Sequence, residues 1–164
     1  MEIRKIKKED ASNYLDMLLN LDKETKDMIF EPDERPSDIE IVKGIIGKAT
    51  SGSNLVLVAL ESNNIVGFLS AQRGMPMRIN HSAYIVTGIR EKYRNKGIGS
   101  KLFFELDKWA KENSITRLEL SVICTNIIAK YLYEKNGFEI EGVKKNAMII
   151  DGKYVDEFYM AKLY

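Results

Sequence analysis

The stretch Arg94-Asn95-Lys96-Gly97-Ile98-Gly99 limits the fold of this chain more than any other. It follows the apolar run Tyr84-Ile85-Val86-Thr87-Gly88-Ile89 and opens an amphipathic helical pattern. A chain that passes from strand to helix through such a loop sets the helix N-terminus at the end of the strand. Glycines let the backbone come close to a ligand, and the N–H groups of a first helical turn lack acceptors and favour an anion. Local charge agrees. Between Arg90 and Lys101 stand Arg90, Lys92, Arg94, Lys96 and Lys101, against Glu91 alone. The stretch reads as a phosphate cradle, with a glycine-rich turn carrying solvated lysines as the plainer alternative.

Spacing removes two common clients. A Walker loop requires G-x-x-x-x-G-K-[ST], a string the chain does not contain. The dinucleotide fingerprint G-x-G-x-x-G requires a glycine at position 102, where Leu102 stands. What is left is Arg-x-x-Gly-x-Gly. This resembles the pyrophosphate loop of the GNAT N-acetyltransferase superfamily, Gln/Arg-x-x-Gly-x-Gly/Ala.

Composition limits the setting. The chain has 164 residues, 45% of them hydrophobic and 30% charged, so one globular domain over residues 1–164 is expected. A formal net charge of +1 provides no global field to draw nucleic acid or a membrane surface. No apolar run approaches the roughly 20 residues that span a bilayer, and Met1-Glu2-Ile3-Arg4-Lys5 leads into no signal-peptide apolar region. Cys124 is the one cysteine, which excludes an internal disulfide and makes the cytoplasm the default compartment. One histidine, His81, and one cysteine argue against a His/Cys metal site, and none is expected.

Hydrophobic periodicity orders the chain as strand, two helices, three strands, helix, strand, helix, two strands. Ile3 to Ile6 reads as a short strand. Glu9 to about Leu21 reads as a helix. Pro32 and Pro36 interrupt the helical pattern after it. Ser37 with Glu40 forms an expected capping box, and Ile41, Val42, Ile45 and Ile46 an expected buried stripe. Leu55–Leu60 and Ile65–Ala71 read as a hairpin about Glu61-Ser62-Asn63-Asn64. His81–Ile89 is the strand before the glycine loop, and the helix from Gly97 runs to about Glu112. Arg117–Ile123 is a strand and Asn126–Lys135 a short helix, stopped by Asn136-Gly137. Phe138 to about Val143 and Tyr154–Leu163 close the chain as strands about an Asp151-Gly152 turn. The result is an α/β chain with a mixed sheet and helices on both faces.

The segment Asn126-Ile127-Ile128-Ala129-Lys130-Tyr131-Leu132-Tyr133-Glu134-Lys135-Asn136-Gly137-Phe138 is similar to a second GNAT signature, Asn-x-x-Ala-x-x-x-Tyr-Glu-Lys-x-Gly-Phe. Asn126, Ala129 and Tyr133 share one helix face by their spacing. An N-cap role for Asn126 and a core role for Tyr133 are the competing readings. With both motifs in order, the resemblance covers nearly the whole chain. It implies the acyl-CoA N-acyltransferase fold, a mostly antiparallel seven-stranded sheet with four helices on both faces.

The resemblance also implies the chemistry. Acetyl-CoA would be the co-substrate, its pyrophosphate on main-chain N–H groups of Asn95, Lys96, Gly97, Ile98, Gly99 and Ser100, with Arg94 orienting the loop. Lys96 and Lys101 are candidates for looser phosphate contacts or for simple solvation. The pantetheine arm would run along the strand end, bonding the main chain of Thr87 and Ile89 like an added strand. Asn126, Ala129 and Tyr133 would line the coenzyme from the short helix, and Tyr133 would be the general acid for the departing thiolate.

The acceptor side is less defined. Many GNAT relatives carry a glutamate on the strand before the glycine loop, but His81-Ser82-Ala83-Tyr84-Ile85-Val86 has none, so no general base is visible. Glu31 and Glu34 are candidates for an amine pocket, as are Asp156 and Glu157, which point to opposite faces of the last strand. His81 reads better as a strand-end surface residue and Cys124 as a packed thiol than as catalysts. The tail Glu141-Gly142-Val143 … Asp151-Gly152-Lys153-Tyr154-Val155-Asp156-Glu157-Phe158-Tyr159-Met160-Ala161 resembles the branch of ribosomal-protein N-terminal and spermidine/spermine acetyltransferases. That points to a polyamine-like small molecule or a peptide N-terminus as acceptor. The rival readings are an acetyl-CoA-binding sensor or assembly module and, more weakly, a nucleic-acid module with Tyr93 as its sole aromatic near the basic loop. No nucleic-acid or membrane partner is expected, and a homodimer is allowed.

Overall fold

The computed structural model describes residues 1–164. The chain runs β1 (Glu2–Lys5), α1 (Ala11–Glu24), α2 (Ile39–Thr50), β2 (Leu55–Glu61), β3 (Asn64–Arg73), β4 (Ser82–Ile89), α3 (Ile98–Glu112), β5 (Arg117–Ile123), α4 (Ile127–Lys135), β6 (Glu139–Ile150) and β7 (Lys153–Leu163). The seven strands form one sheet in the order β1-β2-β3-β4-β5-β7-β6. Every neighbouring pair is antiparallel except β4 with β5. The element order and mixed sheet expected from periodicity are those observed.

Local chemistry accounts for the turns. Ser62 and Asn63 take φ of 49° and 66°, and Asp151 and Gly152 take 52° and 76°. Paired positive φ values match the right-handed twist of hairpin strands. Gly137 ends α4 at φ 88°, as Asn-Gly leads one to expect.

The sheet separates two cores. On one face α3 lays Leu102, Phe103, Leu106, Trp109 and Ala110 against Leu57, Leu69, Ile85, Leu118 and Leu120. On the other, α1 and α2 cover β2 and β3 through Tyr14, Leu18, Leu21, Val42 and Ile46. Tyr14 meets Phe68 edge-on at 5.7 Å between ring centroids. Beyond the end of β4 at Gly88, which Leu21 of α1 covers, the α1–α2 side of β4 to β7 carries no helix, and Tyr84, Val86 and Tyr159 stay exposed there.

Several boundaries differ from expectation. Asp38, not Ser37, caps α2 and accepts the Glu40 N–H at 2.9 Å. Ile41 and Ile45 are 50% and 43% exposed, because α2 touches the core along the stripe Ile39, Val42, Ile46 and Ala49. α1 starts after a 3₁₀ turn at Lys8–Asp10 and runs on to Glu24. β6 extends past Val143 to Ile150. As an edge strand with mostly exposed side chains it shows no apolar alternation. Its register shifts between Lys144 and Met148. There Asp156 accepts the Asn146 N–H at 2.9 Å and the Lys145 ammonium at 3.0 Å.

One buried ion pair shapes the α1–α2 loop. Asp22, 2% exposed, receives Arg35 through Nε at 2.6 Å and through the second arm at 3.0 Å. Arg35 also lies over the Phe30 ring at 4.6 Å. Removing one partner of such a pair strands the other charge in the interior. Arg35→Ala is therefore expected to cost about 3–5 kcal/mol in chemical denaturation. Asp22→Asn with Arg35→Gln should lose less than the single truncation.

Candidate active site at the parting of two strands

β4 and β5 pair only from Ser82–Arg117 to Tyr84–Glu119. Beyond that point β4 stays on β3 to Ile89–Gly67, and β5 stays on β7 to Ile123–Glu157. A gap therefore opens toward the C-terminal ends of both strands. Gly88 pairs with Phe68, and the Arg90 N–H donates to Val66 O at 2.9 Å. By antiparallel alternation, Thr87 and Ile89 turn their main-chain groups into the gap. The Thr87 hydroxyl donates to Phe68 O at 2.7 Å and leaves its main chain open. The Ile89 carbonyl accepts Arg94 Nε at 3.0 Å, so Arg94 ties the loop to the strand end.

The loop at the top of the gap is a bank of donors. The N–H groups of Asn95 through Ser100 find no acceptor in the protein, while the Lys101 N–H begins the helical ladder on Gly97 O at 3.2 Å. Asn95 and Gly97 adopt φ of 60° and 74°. Nothing lies within 4 Å of the place where a Gly97 Cβ would stand, so a bulky anion has room to approach. Ile98 is buried and anchors the turn in the core. Lys96 sits 5.2 Å over the Tyr93 ring, and Lys101 is exposed.

α4 forms the wall behind the gap. Tyr133, 8% exposed, packs edge-on to Phe103 at 5.8 Å and against Phe138 at 6.2 Å. Burial raises its hydroxyl pKa well above the ordinary phenol value, and nearby Tyr84 and Asp27 raise it further. The group is a protonated donor across the physiological range. Asn126 Oδ1 accepts the Ala129 N–H at 3.1 Å, so the capping role is present, with the side-chain amide N–H₂ still free to donate. Ala129 is half-buried beside it.

The opposite side of the gap is the uncovered sheet face. Tyr84 shares that face, and its hydroxyl and that of Ser121 are 2.8 Å apart. Below them lies a groove of about 290 Å³ lined by Tyr84, Arg117, Glu119, Glu141 and Tyr159. Arg117 bonds Glu119 at 2.8 Å and both oxygens of Glu141 at 2.9 and 2.6 Å. The groove thus holds two carboxylates against one guanidinium.

The weaker expectations meet different fates. Glu31 and Glu34 are exposed and bond each other, Glu34 accepting the Glu31 N–H at 2.8 Å. No hydrogen bond joins either to the gap. Asp156 clamps the β6 irregularity, whereas Glu157 lies on the same sheet face as Ser121 by strand alternation. His81 sits at the foot of β4, its carbonyl accepting Thr116 and Arg117 N–H groups at 2.8 and 3.2 Å. Burial, then Asp156, raises the Cys124 thiol pKa, which disfavours a thiolate. Asp27, Tyr84 and Ser121 were not among the expected site residues. Alternation with buried Ala83 and Ile85 would have placed Tyr84 on the open face, but no local pattern marks Asp27.

The comparisons with known proteins agree on the fold and the family. The model of the GNAT acetyltransferase domain matches residues 3–159. The L-amino acid N-acetyltransferase AaaT of Escherichia coli is 34% identical over 111 residues, which are 65% of this chain and 67% of that protein. The crystal structure of a GNAT-family acetyltransferase from Streptococcus pneumoniae superposes with a TM-score of 0.95 at 30% identity, over 99% of both chains. The Salmonella typhimurium protein yncA, solved with its cofactor acetyl-CoA, superposes with a TM-score of 0.87 at 16% identity, over 99% of this chain and 92% of that one. The matched residues take in the donor loop, the strand gap and Tyr133, and this chain belongs to the GNAT acetyltransferase family.

Proposed function

We propose that this chain transfers the acetyl group of acetyl-CoA directly to a primary amine, carried by a polyamine-like small molecule or a peptide N-terminus, in a ternary complex. One arrangement supports the reading above all. Unpaired N–H groups from Asn95 to Ser100 lead into a gap edged by Thr87, and Tyr133, a buried ring whose hydroxyl has no partner in the protein, stands on α4 behind it. The donors suit a pyrophosphate, each charged hydrogen bond contributing roughly 1.5–3 kcal/mol. The free main chain of Thr87 suits a pantetheine amide, and Asn126 and Ala129 suit the same arm from α4. No residue here suggests a metal. The reading takes residues 1–164 as one cytoplasmic catalytic domain.

The chain's residues divide the chemistry. An alkylammonium of pKa ~10.4 is neutral to only about one part in 2,500 at pH 7, a cost near 4.6 kcal/mol. The site must hold that cation and release its proton before attack on the thioester. A gap-facing N–H of the Thr87–Ile89 edge is placed to stabilise the developing oxyanion. Tyr133 gives its proton to the sulfur as the C–S bond breaks. The two carboxylates of the Arg117 groove favour an acceptor that carries a further cation.

Thiol release measured over polyamines, aminoglycosides, amino acids and short peptides is expected to show acceptor-dependent turnover with at least one class. Tight acetyl-CoA binding with no release from any acceptor would instead support a sensor or assembly module. Tyr133→Phe should lower kcat about 100-fold and leave the acetyl-CoA dissociation constant unchanged. An unchanged kcat across pH would remove Tyr133 from the reaction. Gly97→Ala puts a Cβ at a left-handed position costing about 1–2 kcal/mol. Calorimetry should show acetyl-CoA affinity weakened about tenfold as the loop shifts.

A further inference from the structure

The proposed reaction needs a group that takes the acceptor's proton, and the fold brings an acid to the open side of the gap that sequence patterns do not mark. Residues 24–28 cross the C-terminal end of β4 and are held at three points. Glu24 receives the Arg90 guanidinium at 2.9 and 2.5 Å and the Glu91 N–H at 2.9 Å. Met28 reaches over Gly88, its sulfur 3.6 Å from where a Gly88 Cβ would stand. Lys26 bridges to Asp151 at the tip of the β6–β7 hairpin at 2.5 Å, so the loop and the hairpin meet. Asp27 lies between these anchors. Its hydrogen bonds are local and none is to a cation: the Thr25 hydroxyl donates to Oδ2 at 3.1 Å, and the Asp27 N–H donates to Thr25 Oγ1 at 3.2 Å. The carboxylate is exposed and still has free lone pairs.

Met28 over Gly88 and Glu24 on Arg90 set this loop on the end of β4, on the face that also carries Tyr84, and Asp27 and Tyr84 both add to the burial that raises the Tyr133 hydroxyl pKa. Glu157 lies on the same sheet face as Ser121. Of the ionic groups in this loop, Lys26 is matched by Asp151, with Glu31 also acting on it, and Glu24 is matched by Arg90, with Arg94 also acting on it.

Building on the acetyltransferase reading, we propose that Asp27 binds the acceptor's ammonium and takes its proton, from the side of the sheet opposite the Tyr133 acid. The ammonium gives one proton to an Asp27 oxygen, directly or through one water. The freed nitrogen lone pair bonds to the acetyl carbon, and the C–S bond breaks with its electron pair left on sulfur. Sulfur takes the Tyr133 proton, and the second proton lost by the nitrogen restores Tyr133 through solvent. Asp27 passes its proton to solvent, so ammonium and thioester become amide, thiol and one proton. A fixed anion at the gap also holds the acceptor by a charge-assisted hydrogen bond.

The test compares wild type, Asp27→Asn, Asp27→Glu and Glu157→Gln, with the best primary amine of the acceptor panel and with hydroxylamine, which is uncharged at neutral pH. Asp27→Asn should keep its acetyl-CoA affinity and lose about 100- to 1,000-fold in kcat/KM at neutral pH. The deficit should shrink as pH rises toward the amine pKa, since the neutral amine needs no base. Hydroxylamine should react almost equally with variant and wild type, and Asp27→Glu should regain part of the rate. An equal loss at every pH and with both acceptors, or no loss, overturns the assignment. So does the expected pH profile arising in Glu157→Gln and not in Asp27→Asn. Wild type that releases no thiol with any acceptor sinks the acetyltransferase reading itself, whereas wild-type turnover with an indifferent Asp27→Asn removes Asp27 alone.

Discussion

The parting of β4 from β5 is the constraint on which the site depends. Two strands that share only the pairs from Ser82–Arg117 to Tyr84–Glu119 must each find other partners for the rest of their length. β4 finds β3, and β5 finds β7. The main chain left facing the gap has no partner strand, which in a protein interior would be costly. The cost is tolerable where a ligand with amides can complete the ladder. A sheet without this gap would be better paired and would leave no edge for the pantetheine arm of the proposed co-substrate.

Helices hold the gap open from both faces. On one face Tyr133, Phe103 and Phe138 form an aromatic cluster that fixes α4 behind the gap. On the other, α1 lies close enough on β4 that a Cβ at Gly88 would come 2.4 Å from Leu21 Cδ2. The Glu24–Arg90 pair then joins the end of α1 to the start of the donor loop. On the proposed reading the two substrates would meet from opposite sides, the anionic one on the N–H groups at the α3 terminus and the cationic one on the uncovered face with Asp27 and the two carboxylates of the Arg117 groove.

Much of this was legible in the chain. The Arg94–Gly99 loop stood out because glycine, positive charge and a following apolar period coincide within a few residues. The Asn126–Phe138 segment did so because helical spacing sets Asn126, Ala129 and Tyr133 on one face. The element order followed from periodicity, and the Asn-Gly and Asp-Gly turns fell where expected. Misreadings came where burial, and not propensity, decides. Ile41 and Ile45 look like core residues, yet α2 presents a narrower stripe. Ser37 looks like a cap, but the chain turns into the helix one residue later on Asp38.

By itself the sequence determined the bank of unpaired N–H groups on which the proposed donor side rests: a short segment with its glycines and its helix start presents such groups wherever the chain folds, because all its parts are local. The surroundings of each carboxylate were decided only by tertiary structure. Glu31 and Glu34 and Asp27 belong to the same loop and look alike in sequence. Packing closes the first two into a local turn and holds the loop of Asp27 against the end of β4, with Lys26 reaching a hairpin far along the chain at Asp151. Asp156 and Glu157 are neighbours that the pleat sends to opposite faces, one into a structural clamp and the other to the open face. A carboxylate's role depends on what stands within a few ångströms of it, and for these residues those neighbours come from distant strands.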